Sequence, residues 1–167
     1  MLELKPLSKE AIPAALARVE RYRLLNEPEQ AESICLDILA CDADNQEAVV
    51  ALLLSMTDQF SNGAGPRVSD ARELLPRLRD DYERAYYAGI ISERRARALI
   101  NQGGPGSGFI AYEWFRDAMI CYEKAEALRP QGNDDAILRW NTCARFLMNH
   151  PQLAPSREEN LEPLLLE

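Results

Sequence analysis

The chain has 167 residues, one domain's worth; 47% are hydrophobic and 28% charged, which excludes a disordered or fibrous polymer and supplies enough apolar material for a buried core. Lys and Arg total 19 against 27 Asp and Glu, a formal net charge of -8, so binding a phosphate backbone would run against the overall field and nucleic acid is not an expected partner. The longest uninterrupted apolar run, positions 48–54, is far short of the roughly 20 residues a spanning helix needs, and the opening MLELKPLSKE lacks a signal peptide's apolar core, so no membrane partner and a cytoplasmic location are expected.

Helical periodicity then runs almost end to end. After Pro28, residues Ala31, Ile34, Cys35 and Ile38 mark one face at i, i+3, i+4 and i+7. Ala71, Leu74, Leu75 and Leu78 meet the same template, as do Ala111, Trp114, Phe115 and Ala118, and finally Ala136, Trp140, Cys143, Ala144 and Leu147. Strand alternation is nowhere sustained, so the expected class is all-α. Breakers at 26–28, 42–45, 61–66, 103–108, 130–133 and from Pro151 onward cut the chain into about seven helices, near 9–25, 29–42, 46–60, 69–79, 81–101, 108–128 and 133–149. Pro13 and Pro76 fall inside this scheme, and each predicts a kink or a displaced boundary, because proline has no N–H to give a helix interior. Residues 1–150 make one helical domain, followed by a Pro-, Glu- and Leu-rich tail at 151–167.

Few residues offer chemistry. The four cysteines, Cys35, Cys41, Cys121 and Cys143, show no CxxC spacing, and with one histidine they make no zinc pattern, so reduced thiols and no metal are expected. His150 precedes Pro151 and is expected to cap the last carbonyls of its helix. The glycine-rich 103–108 stretch has no Gly-Lys-Ser/Thr ending and no strand before it, so it is a lengthened turn rather than a phosphate loop. Arg94, Arg95 and Arg97 are expected mainly on a solvated face, with contact to an acidic partner as the alternative. Asp80 and Asp81, like Asp134 and Asp135, sit where helix caps are needed. Trp114, Phe115, Trp140 and Phe146 have core spacing. No catalytic residue and no cofactor is assigned.

Internal similarity is more informative. Positions 26–32, with Cys35, Ile38 and the 42–45 turn, resemble the second half of a tetratricopeptide repeat, a helix-turn-helix unit of about 34 residues. Ala118, Tyr122, Ala125, Leu128 and Pro130 carry the same small-aromatic-small-proline pattern, and Ala71, Leu75 and Leu78 keep those offsets in a middle unit, with Glu83 in the proline's place. The reference alanines, Ala31, Ala71 and Ala118, stand further apart than the repeat period, which implies insertions of about six and 13 residues. The resemblance implies a right-handed solenoid of helix pairs closed by a single capping helix. It also implies a non-enzymatic scaffold that holds a peptide or partner protein in a concave groove made by the first helix of each pair. Carried over residue by residue, the groove would be lined by Leu16, Glu20 and Arg23, then Val50, Leu54 and Thr57, then Tyr86, Ile90 and Glu93, with Ile137 and Asn141 at the end. Leu16 and Glu20 occupy the places where the chaperone-binding subtype carries its carboxylate clamp, which disfavours that subtype. A homo-oligomeric structural subunit and a small-molecule-binding helical domain remain as alternatives. Leu161, Leu164, Leu165 and Leu166 make the tail a candidate for docking on its own last helices or on a second copy.

Overall fold

The computed structural model describes residues 1–155. Among the described residues seven α-helices follow in order: α1 (Ile12–Leu24), α2 (Pro28–Cys41), α3 (Gln46–Thr57), α4 (Val68–Arg72), α5 (Asp81–Gln102), α6 (Ser107–Leu128) and α7 (Asp135–Asn149). No strand is present among the described residues, and none of their helices is long and apolar enough to cross a membrane. The docking expected of the leucine-rich tail concerns residues outside those described.

Local chemistry sets most of the boundaries. Pro13 falls in the first turn of α1, where the amide it lacks would have had no helical partner, so the helix is undisturbed. Asn26 reverses the chain in the left-handed region, at φ 59°, and Pro28 opens α2. The Asn45 side chain accepts from the Ala48 amide at 3.0 Å and starts α3. Asp80 does the same for α5, accepting from Tyr82 N at 2.9 Å. At α7 the capping oxygen comes instead from Asn133, which accepts from Asp135 N at 3.1 Å. Gly103, Gly104 and Gly106 all have positive φ, and this makes 103–106 a turn between the two longest helices.

One expected helix is much shorter than its periodicity suggested. The 69–79 stretch forms α4 and then a separate 3-10 turn, Leu75–Arg77, with Pro76 inside that turn. Proline cannot donate to the preceding turn, so the helix gives way ahead of it.

Each helix packs on the next: α1 on α2, α2 on α3, and α6 on α7, with α5 against α6 the most extensive pair; α3 also touches both α1 and α5. Ala31, Ala71 and Ala118 are completely buried, as close helix approach requires. The interior forms two clusters. Val19, Cys35, Ile38, Leu53, Leu78 and Ile91 belong to the first, and Ile90, Phe115, Tyr122, Ala136 and Cys143 to the second, while half-buried Leu54 and Tyr87 pack against both.

Candidate functional site

An open groove of about 1060 Å³ runs along α1, α3 and the start of α5. Leu16, Glu20 and Arg23 enter it from α1 because i, i+4 and i+7 share a helix face. Glu47, Val50, Ala51 and Leu54 come from α3 by the same spacing, and Glu83 and Tyr87 from α5. Asp44 and Arg79 close one end, 3.7 Å apart. Five of the residues expected in a groove are therefore brought together: Leu16, Glu20, Arg23, Val50 and Leu54.

Other expected groove residues lie elsewhere. Thr57 is buried and donates to Leu54 O at 2.8 Å, which turns its hydroxyl back onto its own helix. Ile90 is in the second core cluster, and Glu93 is also interior. Tyr86 packs among Tyr82, Tyr87 and Tyr122, and Ile137 and Asn141 are half-buried on α7. On α5 the groove is thus met by Glu83 and Tyr87, one helical position away from the set expected. Tyr82, Ala85, Tyr86, Tyr87 and Ala88 spread apolar side chains around the helix with Glu83 and Arg84 between them, so periodicity alone could not select the face.

Charge in the groove is asymmetric. Arg23 holds Asp58 through Nε at 2.7 Å and Nη2 at 3.4 Å, and Arg94 approaches the same carboxylate at 3.6 Å. That cluster ties the end of α3 to α1 and α5. With Arg79 beside Asp44, both groove arginines are engaged, whereas Glu20, Glu47 and Glu83 form no ion pair among the described residues. Burial, with Asp80 nearby, raises the Glu83 carboxyl above its ordinary range. Tyr87 is pushed up to about 12, first by burial and then by Glu83.

A second polar assembly lies inside the molecule. Glu93, only 1% exposed, accepts from Arg139 Nη2 at 2.9 Å, Arg97 Nε at 3.1 Å, the Tyr122 hydroxyl at 3.1 Å and the Cys143 thiol at 3.3 Å. Helices α5, α6 and α7 are joined there at one carboxylate. Burial raises the Tyr122 phenol and the Cys143 thiol, and the Glu93 charge raises both further. Burial alone would lower the Arg139 guanidinium, but Glu93 and Tyr122 outweigh it and hold the group charged. A thiol kept protonated and enclosed is not an activated nucleophile, so the arrangement works as a fastening. It also pairs Arg97, as Asp58 pairs Arg94, although the two side chains remain 33% and 37% exposed.

The remaining aromatic and histidine expectations have definite places. Phe115 is completely buried with its ring 4.8 Å from Phe146, and His150 stacks on Phe146 while its Nδ1 lies 2.7 Å from the Phe146 carbonyl oxygen. Trp140 donates to Glu123 at 3.1 Å. All four cysteines are free thiols, and among the described residues no cluster of His, Cys, Asp or Glu is arranged to hold a metal. Comparison of the chain with protein-family models, with curated proteins and with solved structures finds no match.

Proposed function

We propose that this chain is a non-enzymatic scaffold of the tetratricopeptide type, a stack of helix pairs whose α1/α3/α5 groove holds a segment of a partner protein. The observation that carries the reading is the make-up of that groove. Leu16, Val50, Leu54 and Tyr87 offer an apolar floor, and Glu20, Glu47 and Glu83 add carboxylates without ion-pair partners among the described residues. Contact of α3 with both α1 and α5 supports alternate helices lining one face, as in helix-pair arrays. Such a channel suits an amphipathic helix or extended peptide with apolar anchors and Lys or Arg between them.

Selection from a random peptide display library on the full chain tests this. Enriched peptides are expected to interleave apolar and basic residues, to bind more weakly as salt rises, and to be lost by a Glu20→Lys, Glu83→Lys double variant of unchanged helical signal. Enriched peptides that bind this variant and the parent equally would refute the groove as the site.

A further inference from the structure

A smaller cleft of about 470 Å³ shares no residue with the groove and has the opposite charge. It lies between the loop after α3, the C-terminal half of α5 and Trp114 of α6. Its charged lining consists of Arg67 and Arg95, with no Asp or Glu, in a chain whose acidic residues outnumber its basic ones by 27 to 19. Neither arginine forms an ion pair among the described residues, whereas the neighbouring Arg94 and Arg97 both do. Phe60, Pro66, Val68 and Trp114 supply apolar walls, and a third guanidinium, that of Arg72, lies 5.1 Å from the Trp114 ring.

Two guanidinium groups in no ion pair among the described residues, in a protein of charge -8, form a local positive field that favours an anion, although Asp70 caps the Arg67 amide at 2.7 Å and Asp117 lies 3.9 Å from Arg72. We propose that this cleft docks an acidic peptide segment of a partner protein. Its Glu or Asp carboxylates pair with Arg67 and Arg95, and an aliphatic side chain enters between Pro66, Val68 and Trp114. Planar guanidinium forks match carboxylates bidentately, and the amides of Asn62 and Gln102 on the same lining can meet the peptide main chain. A nucleotide fits less well, because Arg72 already covers one face of the ring on which a base would stack. The alternative kept open for the 94–97 arginines, contact with an acidic partner, falls on Arg95 alone.

Titration of the full chain with a labelled peptide of mixed glutamate and leucine, followed by anisotropy, tests the proposal beside parallel titrations with ADP and with inorganic phosphate. The peptide should bind, and Arg95→Glu and Arg67→Glu should each weaken it about tenfold or more, as should higher salt. Arg145→Glu, on the exposed side of α7, should leave binding unchanged, and all three variants should keep the parent's helical signal and melting temperature. No binding of the peptide, or binding indifferent to Arg67 and Arg95, overturns the proposal. So does arginine-dependent binding of ADP or phosphate without binding of the peptide, which would assign the cleft to a small anion. None of these outcomes bears on the acidic groove, whose variants lie on other residues.

Discussion

Glu93 shows how one residue can hold three helices and how misleading its type is in isolation. A glutamate at that position of an amphipathic helix is expected to face water or a groove, and only its four donors, which arrive from 4 to 50 positions away in sequence, explain its burial. Removing the charge leaves Arg97 and Arg139 without their carboxylate, although both side chains retain partial access to solvent. Glu93→Gln should therefore cost about 3 kcal/mol, the lower part of the range for a broken buried pair, measured by urea unfolding. Tyr122→Phe removes a single hydrogen bond and should cost about 1 to 3 kcal/mol, depending on how well the Glu93 oxygen finds another donor. Equal stability of the parent and Glu93→Gln would contradict the network. Two other residues contribute to behaviour in alkali, in the same direction as Tyr122 and Cys143. Burial lifts the Cys35 thiol from its ordinary 9.0 to about 12, and the Tyr87 phenol rises from 10.0 to about 12. Raised values mean that the native state keeps protons the unfolded chain gives up. The stability this provides is complete below pH 9 and is lost between pH 9 and 12. Melting temperature should fall across that interval, and a flat profile would argue against burial of these groups.

At the scale of elements, α5 and α6 approach each other closely at Gly89. A Cβ placed there would stand 2.5 Å from Tyr122 Cε1, and the ring cannot move aside while its hydroxyl is held by Glu93. Gly89→Ala gains about 1 kcal/mol of helix propensity and overpacks a completely buried ring. The net effect should be a loss of about 1 to 2 kcal/mol, read from the urea midpoint, whereas a stabilised variant would mean that the helices can separate at little cost. Much of this level was legible in the sequence. The breaker at 42–45, the cap at Asp80, the proline at 28 and the glycines at 103–106 place the starts and turns of α2, α3, α5 and α6 to within a residue or two, since each acts through local backbone chemistry. What was not legible depended on distance or on uniformity. The Ala71 stripe predicted a helix to 79, and the displaced boundary expected at Pro76 is found, but how far back the helix stops, at Arg72, was not legible from periodicity. The groove face of α5 was hidden because the tyrosines and alanines of its first two turns spread around the helix between Asp81, Glu83 and Arg84, and the register carried over from the repeat family arrived one position out. The groove residues on α1 and α3, Leu16 to Arg23 and Val50 to Leu54, followed from the repeat family's geometry carried over residue by residue, not from polarity, since positions 48–54 are apolar without interruption.

Across the whole molecule, the two hydrophobic clusters meet along α5, with Leu54 of α3 also touching both. Ile91 and Ala98 of α5 serve the first cluster, while Tyr82, Ile90 and Ala96 serve the second, and the five consecutive residues from Gly89 to Glu93 are all buried. Neighbouring isoleucines thus point into different cores. In an array of helix pairs, stability is ordinarily a sum of nearly independent units, and ends can fray while the middle persists. Here neither cluster can open without exposing one side of the helix that completes the other. Amide hydrogen exchange should therefore find the slowest protons at 89–93, and conditions that melt α1 and α2 should at the same time accelerate exchange in α6. Exchange in α6 that stayed slow after the N-terminal helices had opened would show two separable folding units. If the two are bound in this way, α5 also carries information: a ligand that tightens the packing of α1 and α3 against it would, by restricting that shared helix, alter how readily α6 and α7 loosen at the far end.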